Sequence, residues 1–317
     1  MKNQQNLKIG VVMDPIADIK PRKDTSLAMM LAAQKLGATL FYMEQDDLYI
    51  KDGAARARIC PVEVFDNPDK WYEMGEPFDA PMTKMDIVLM RKDPPVDKRF
   101  IHACYMLEQA RRDGVRVVNP PLTLVDLNEK IFATHFPEFC PPYVIASDYE
   151  TIRAFWAEHK KIIIKPLDSM GGDGVFLVGP GDVNFDVIWE RQTDRGRYPV
   201  VVQAFIEDIK DGDKRIVIID GKPYGHALVR TPKDGSIRGN MAAGGSVHVR
   251  PLTARETVIA EKIGIELKRK DIVFAGIDVI GDILTEVNIT SPTGLRQISA
   301  ATGEDVAEIL MRAIIGA

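Results

Sequence analysis

Two apolar segments near the C-terminus carry polar groups where a plain core would not tolerate them. Residues 273–280 read as a buried strand with Asp278 inside it, and residues 284–289 as a second with Glu286 and Asn288 inside it. Buried carboxylates are costly unless they are paired or bound to a metal. Side chains two apart share a face of a strand, so Glu286 and Asn288 point the same way. Two carboxylates and an amide oxygen form an all-oxygen set suited to Mg²⁺, with water and phosphate oxygens completing the shell. A solvent-facing polar hairpin would explain the same letters, but both strands are too apolar for one. Parity adds a condition. If Gly281-Asp282 were a clean two-residue turn, Asp278 would lie opposite Thr285 and miss the Glu286 face. Asp278 joins the set only if the hairpin has an odd loop or a bulge.

A second hairpin pattern lies upstream. An apolar strand at 162–166 delivers Lys165, Met170-Gly171-Gly172-Asp173-Gly174 follows, and a second strand returns at 175–178. Glycines at 171, 172 and 174 let backbone N–H groups turn toward an anion, and a neighbouring lysine supplies a point charge for phosphate. The P-loop pattern G-x-x-x-x-G-K-[ST] is absent from this stretch. Taken alone, the segment could equally be a mobile turn with a solvated lysine.

Between these hairpins the strand at 198–205 ends in Gln203-Ala204-Phe205-Ile206, an apolar edge suited to an adenine ring. KDGDKR at 210–215 then leads into an apolar strand, with Asp213, Lys214 and Arg215 at its entry. A solvated charge cluster is the plain alternative, but Arg215 opens a buried strand. Arg230 ends the strand at 223–229, Arg238 sits in a long glycine-bearing loop, and Arg250 lies beyond it. Arginines so placed can clamp a carboxylate or phosphate. Residues 231–246 hold four glycines and few large apolar side chains, so the loop is expected to order over bound ligands as a lid.

The first third has another texture. Strands are expected at 7–13, 39–43, 87–90 and 116–118, with helices at 25–36 and 99–112, and this alternation argues for a largely parallel α/β sheet. The double proline at 120–121 marks a candidate boundary. Further on, a capping-box spacing at Ser147 and Glu150 opens a helix to about 159, and helices are expected at 255–268 and 304–315. Asp220-Gly221 joins two strands as a hairpin turn. The fold class is therefore α/β, becoming α+β in the C-terminal part.

Composition excludes several partners. The chain has 317 residues, 45% hydrophobic and 27% charged, with a formal net charge of −5. Nothing there suggests a nucleic-acid footprint. No run is long enough for a membrane span, and the N-terminal apolar stretch is interrupted by Lys8 and ended by Asp14, too short for a secretory signal. Cys60, Cys104 and Cys140 are widely spaced and read as reduced thiols, which favours the cytoplasm.

The order of these pieces resembles the ATP-grasp fold, in which a nucleotide lies between two antiparallel sheets. The closer resemblance is to the bacterial glutathione synthetases. It runs through VMDPIADI at 12–19, MRKDPP at 90–95, NEK at 128–130, IKPLD at 164–168, KDGDKR at 210–215, RGNMAAGG at 238–245 and TEVNITSPT at 285–293. It implies an N-terminal α/β domain over 1–122 and an ATP-grasp domain over 123–317, the latter split near 205. It also implies ATP-dependent ligation of glycine to γ-glutamylcysteine through an acyl phosphate, with Mg²⁺, or Mn²⁺ in its place.

By the same resemblance Lys130 and Lys165 hold phosphates, and Gly171, Gly172 and Gly174 cover them. Gln203, Ala204, Phe205, Ile206 and Asp213 hold the nucleotide, and Arg215 and Arg238 face the transferred phosphoryl group. Arg91, Arg230, Asn288, Ser291 and Thr293 hold the substrate, while Asp278, Glu286 and Asn288 carry the metal. A homo-oligomer, specifically a homotetramer, is implied as well. Two rivals remain at this point: another ATP-grasp carboxylate–amine ligase, and a non-catalytic nucleotide-binding protein on the same fold.

Overall fold

The computed structural model describes residues 6–233 and 246–316. Its first sheet has eight strands: β1 (Lys8–Val12), β2 (Thr39–Met43), β3 (Leu48–Lys51), β4 (Ala54–Val64), β5 (Tyr72–Met74), β6 (Phe78–Pro81), β7 (Ile87–Met90) and β8 (Arg116–Val118). The run β2-β1-β7-β8 is parallel. The expectation of a largely parallel sheet needs correction beyond it, because β3, β5 and β6 pair antiparallel with β4, which itself pairs antiparallel with β2. Residues 54–64 hide a strand because its inward positions include Ala55 and Ala57, whose type is poor in strands. Helices α1 (Thr25–Lys35) and α2 (Lys98–Arg112) cross between the parallel strands. Asp24 and Asp97 cap them, accepting from Leu27 N at 2.6 Å and Phe100 N at 2.9 Å.

Two short helices, α3 (Pro121–Asp126) and α4 (Glu129–Ala133), lead to a four-stranded antiparallel sheet of β9 (Tyr143–Ala146), β10 (Ile162–Pro166), β11 (Phe176–Val178) and β12 (Val200–Ala204), in the order β11-β10-β12-β9. Helices α5 (Tyr149–His159) and α6 (Phe185–Thr193) pack on it through a core of its own that includes Ile152, Ile162, Phe185 and Val202. The cap of α5 is Asp148, whose carboxylate accepts from Thr151 N at 2.8 Å; Ser147, expected to open the box, lies one residue too early.

The third sheet is antiparallel, β15-β14-β13-β16-β17, from β13 (Asp213–Ile219), β14 (Lys222–Thr231), β15 (Ser246–Pro251), β16 (Phe274–Ile280) and β17 (Ile283–Asn288). Asp220 and Gly221 join β13 to β14, both at positive φ, as a type I′ turn requires. Helices α7 (Ala254–Arg269), α8 (Leu295–Thr302) and α9 (Val306–Ile315) complete this part. The helix expected from 304 to 315 starts at Val306, and α8 before it was not anticipated.

The first and third sheets share their cores. Val88 and Phe100 cluster with Ile277 and Val287, and Ile9 and Leu27 with Leu295 and Leu310. Asn119, directly after β8, staples the two sheets. Its amide donates to Phe274 O and Ile289 O at 2.8 Å each and accepts from Val273 N at 3.0 Å and Phe274 N at 3.2 Å. Among the described residues no helix is long and apolar enough to cross a membrane. All three cysteines are free, with Cys60 and Cys104 buried.

A buried glutamate anchors α7. Glu256 completes a capping box with Thr253, accepts from Arg250 at 2.6 and 2.8 Å, and lies 3.4 Å from Lys214 Nζ. Burial pushes its carboxyl up, but Arg250, the Thr253 N–H and Lys214 outweigh that and hold it at about 2 against an ordinary 4.5. The folded chain thus resists protonation that the unfolded chain accepts. This contribution is complete above the ordinary value and is lost as pH falls toward the folded one. The urea midpoint should therefore drop more steeply between about pH 5 and pH 3 in the parent protein than in Glu256→Gln. Equal slopes would remove Glu256 from the acid response.

Candidate active site

A cavity of about 470 Å³ opens between the second and third sheets. One end is apolar. Ile163 of β10 and Val175, just before β11, line it together with Ile280 of β16 and with Phe205 and Ile206, just after β12. The other end gathers Lys130, Lys165, Arg215, Arg230, Asp213, Asp278, Glu286 and Asn288. Flat apolar walls beside a dense charge cluster suit a molecule with an aromatic ring and an anionic tail.

The β16–β17 hairpin meets the parity condition. Ile280 pairs with Ile283 and Val279 with Leu284, and then the register shifts so that Asp278 faces Glu286. Thr285 is the extra residue of this bulge, and its hydroxyl donates to Asp278 O at 3.1 Å. Bulges re-aim side chains, and this one brings Asp278, Glu286 and Asn288 to one wall of the cavity.

Arginines hold Asp278 on both oxygens. Arg215 donates Nε to Oδ1 at 2.6 Å and Nη2 to Oδ2 at 2.9 Å. Arg230 Nη2 reaches Oδ1 at 2.9 Å, and Asn288 Nδ2 reaches Oδ2 at 3.1 Å. Burial raises this carboxyl, but the two guanidinium charges outweigh it and hold it at about 2. The fork–fork geometry needs space beneath it. A Cβ at Gly276 would stand 2.7 Å from Arg215 Cδ, so the strand carries glycine where the arginine stem crosses. Asp213 pairs with the same Arg230. Burial and the nearby Asp278 charge push its carboxyl up to about 6, against the pull of Arg230. Asp213 Oδ1 and Arg230 Nε are buried without a hydrogen-bond partner among the described residues.

Across the cleft, Lys165 Nζ donates to Glu286 Oε1 at 3.2 Å and to Thr285 O at 3.4 Å. Burial raises the Glu286 carboxyl, but Lys165 and Lys130 outweigh it and keep it below the usual range. Lys130 Nζ donates to Ser169 O at 2.7 Å and Leu167 O at 3.3 Å. Gly171, Gly172 and Gly174 all take positive φ, and a Cβ at Gly174 would stand 2.9 Å from Pro166 Cγ. The loop therefore requires glycine there on two counts.

Most of the expected residues converge on this cavity, and a few stand off it. Gln203, Phe205, Ile206, Asp213, Ser291 and Thr293 line it; Ala204 and Gly174 sit beside the wall. The Ala204 and Phe205 N–H groups are committed to Pro142 O at 2.9 Å and Lys161 O at 3.0 Å. Arg91 is fully buried behind the wall, donating to Ser26 Oγ at 3.1 Å and Pro292 O at 2.9 Å and stacking 5.4 Å from the Phe274 ring centre. Arg250 turns away to Glu256. Arg238 and the rest of residues 234–245, the middle of the lid expected at 231–246, lie outside the described residues. Glu129, Ile163 and Ile280 line the cavity without having been singled out. The alternation of the 274–280 strand could have revealed Ile280; Glu129 could have been noticed only as the middle of NEK.

The donor set fits a hard divalent cation. Glu286 and Asp278 are ionised, and Asn288 adds an amide. It is a mixed set, for among the described residues no group of three or more His, Cys, Asp or Glu side chains could hold a metal. Both Asp278 oxygens already have donors, so a cation would meet Glu286 and Asn288 first.

Known proteins resemble this chain along its whole length. Residues 7–124 match the prokaryotic glutathione synthetase N-terminal domain, and residues 129–303 match the prokaryotic glutathione synthetase ATP-grasp domain. The glutathione synthetase of Pseudomonas putida is 51% identical over 309 residues, covering 98% of each chain. That of Escherichia coli O127:H6 is 47% identical over 97% of this chain and 98% of its own. Among solved structures, D-cycloserine synthetase DcsG superposes with a TM-score of 0.68 at 14% identity, over 98% of this chain and 99% of its own. A RimK domain ATP-grasp protein from Sphaerobacter thermophilus gives 0.63 at 18%, over 98% and 100%. At those identities the structural likeness speaks to the ATP-grasp fold alone.

Proposed function

The chain belongs to the prokaryotic glutathione synthetase family, an ATP-dependent ligase family of the ATP-grasp fold, and from that premise we propose how its cleft makes the bond. The substrates are γ-glutamylcysteine, glycine and ATP. A cysteinyl carboxylate oxygen attacks the γ-phosphorus and ADP departs, leaving an acyl phosphate. The glycine amine then attacks the acyl carbon, the C–O bond to phosphate breaks, and the amine proton is released. No side chain is assigned as general base. Positioning and charge stabilisation carry such a reaction.

The observation that carries this reading is the charge arrangement on the two walls. Lys130 and Lys165 stand beside the glycine loop on one side, and Arg215 and Arg230 ring Asp278 on the other. Adenine fits the slot of Ile163, Val175, Phe205, Ile206 and Ile280, with Gln203 and Asp213 along the nucleotide. Lys130, Lys165 and the loop N–H groups take the phosphates. Arg215 faces the transferred phosphoryl, while Arg230, Ser291 and Thr293 face the dipeptide, with Arg91 supporting that wall through Pro292. Mg²⁺, or Mn²⁺ in its place, would be held by Glu286 and Asn288, with Asp278 reached by displacing a donor; when bound it would neutralise charge on the phosphate oxygens. Residues 1–122 then supply part of the substrate wall, and 123–317 the nucleotide site. A cytoplasmic homotetramer follows from the family resemblance.

Omission of single components tests the reading. Chromatography should detect glutathione only when ATP, Mg²⁺, γ-glutamylcysteine and glycine are all present. Product from pairs of D-alanine, with none from the four together, would overturn it.

A further inference from the structure

We propose that Glu129 is a positioning residue that locks the phosphate lysine Lys130 to the turn carrying Ser291 and Thr293, so that nucleotide and dipeptide are held in one register. The inference rests on the ligand roles proposed above for those residues. One oxygen of Glu129 does all the work. Its Oε1 accepts from Ile289 N at 2.7 Å, Thr290 N at 2.9 Å and Thr290 Oγ1 at 2.8 Å. Ile289 and Thr290 are the first two residues beyond β17. Asn288 of the acidic wall immediately precedes them, and the cavity-lining residues 291–293 follow.

The flanking residues tie the same short helix to the opposite wall. Asn128 caps α4, its Oδ1 accepting from Lys130 N at 3.1 Å and Ile131 N at 3.2 Å. Its amide donates to Leu167 O at 3.1 Å, in the segment whose Leu167 and Ser169 carbonyls accept from Lys130 Nζ. Thus Asn128 grips the second sheet, Glu129 grips the third, and Lys130 projects into the cleft between them. A five-residue helix has little stability of its own, so beyond the core packing of Phe132 and Ala133 its placement relies on these side chains. Loss of Glu129 would let Lys130 and the 289–293 turn move separately. Misplacement by about 1 Å can cost up to about 10² in rate.

The fold does not hang on this residue. Ile289 is also held through its carbonyl by Asn119 at 2.8 Å. Glu129→Ala should therefore fold, while the KM for ATP and the KM for γ-glutamylcysteine each rise about tenfold. Glu129→Gln keeps an oxygen acceptor and should bring both back to within about threefold of the parent. A merely structural role would not produce a joint KM rise with rescue by glutamine.

The inference fails if Glu129→Ala leaves both KM values within about twofold of the parent, or if Glu129→Gln is as impaired as the alanine variant. If Glu129→Ala does not fold, Thr290→Val, which removes one of the three donors, must raise both KM values together by about threefold; unchanged values would overturn the inference. An unaltered KM for ATP in Lys130→Gln would instead remove the assignment beneath it, and so separates the two failures.

Discussion

Glu286→Ala is expected to leave a folded protein whose glutathione synthesis is lowered by on the order of 10²-fold or more. The side chain sits on an apolar strand and keeps its charge through Lys165, 3.2 Å away. With its face set by the Thr285 bulge, it presents a carboxylate opposite Asp278 and two residues from Asn288. Without Glu286, a divalent cation keeps one carboxylate whose oxygens are already shared with arginines, and Lys165 loses the partner that aims it. The defect should appear mainly in kcat, because the missing charge acts on the phosphoryl group as its bonding changes. Folding is spared because Glu286 is a quarter exposed to the cleft rather than part of the packed core. Circular dichroism and steady-state kinetics at saturating Mg²⁺ decide the matter. A folded variant with near-normal turnover would show that this wall does not hold the metal.

Asp278→Ala should damage stability more than Glu286→Ala. Arg215, Arg230 and Asp278 are all nearly buried, with side chains 8, 12 and 8% exposed. Removing the shared carboxylate leaves two guanidinium groups in a low-dielectric site. Breaking a buried pair from one side costs roughly 3–5 kcal/mol, because the charge left behind is uncompensated. Asp213 offers limited relief, since it already pairs with Arg230 and its own carboxyl is pushed up to about 6 by burial and by Asp278. Its proton affinity should fall once Asp278 is gone, which is a second observable in a pH titration. A shift in urea midpoint equivalent to less than about 1 kcal/mol would mean that Asp213 and solvent repair the site.

How much of this could be read from the letters depends on the range of each interaction. Strands with clean apolar runs were legible to the residue: residues 39–43, 87–90 and 162–166 are β2, β7 and β10. The acidic hairpin was legible as a condition, because alternation within a strand is local while the bulge that satisfies it depends on pairing. The antiparallel strands of residues 48–81 were not legible, since β5 and β6 are only three and four residues long and β4 buries alanines. The contacts of Asn119 and Glu129 were hidden for another reason. Their partners lie about 155 and 160 residues away in sequence, and no local pattern encodes such a contact. Chemistry-bearing motifs announced themselves by type and spacing; the residues that hold those motifs together did not.

If the cleft activates the dipeptide carboxylate by phosphoryl transfer, one carboxylate oxygen must leave with the phosphate. The most direct measurement uses γ-glutamylcysteine labelled with ¹⁸O in its cysteinyl carboxylate, turned over with ATP, Mg²⁺ and glycine. Mass spectrometry of the released phosphate reads the outcome. Passage through an acyl phosphate places one carboxylate oxygen in each phosphate, so the phosphate should carry one ¹⁸O per glutathione formed. Phosphate free of label, with glutathione still formed, would exclude an acyl phosphate.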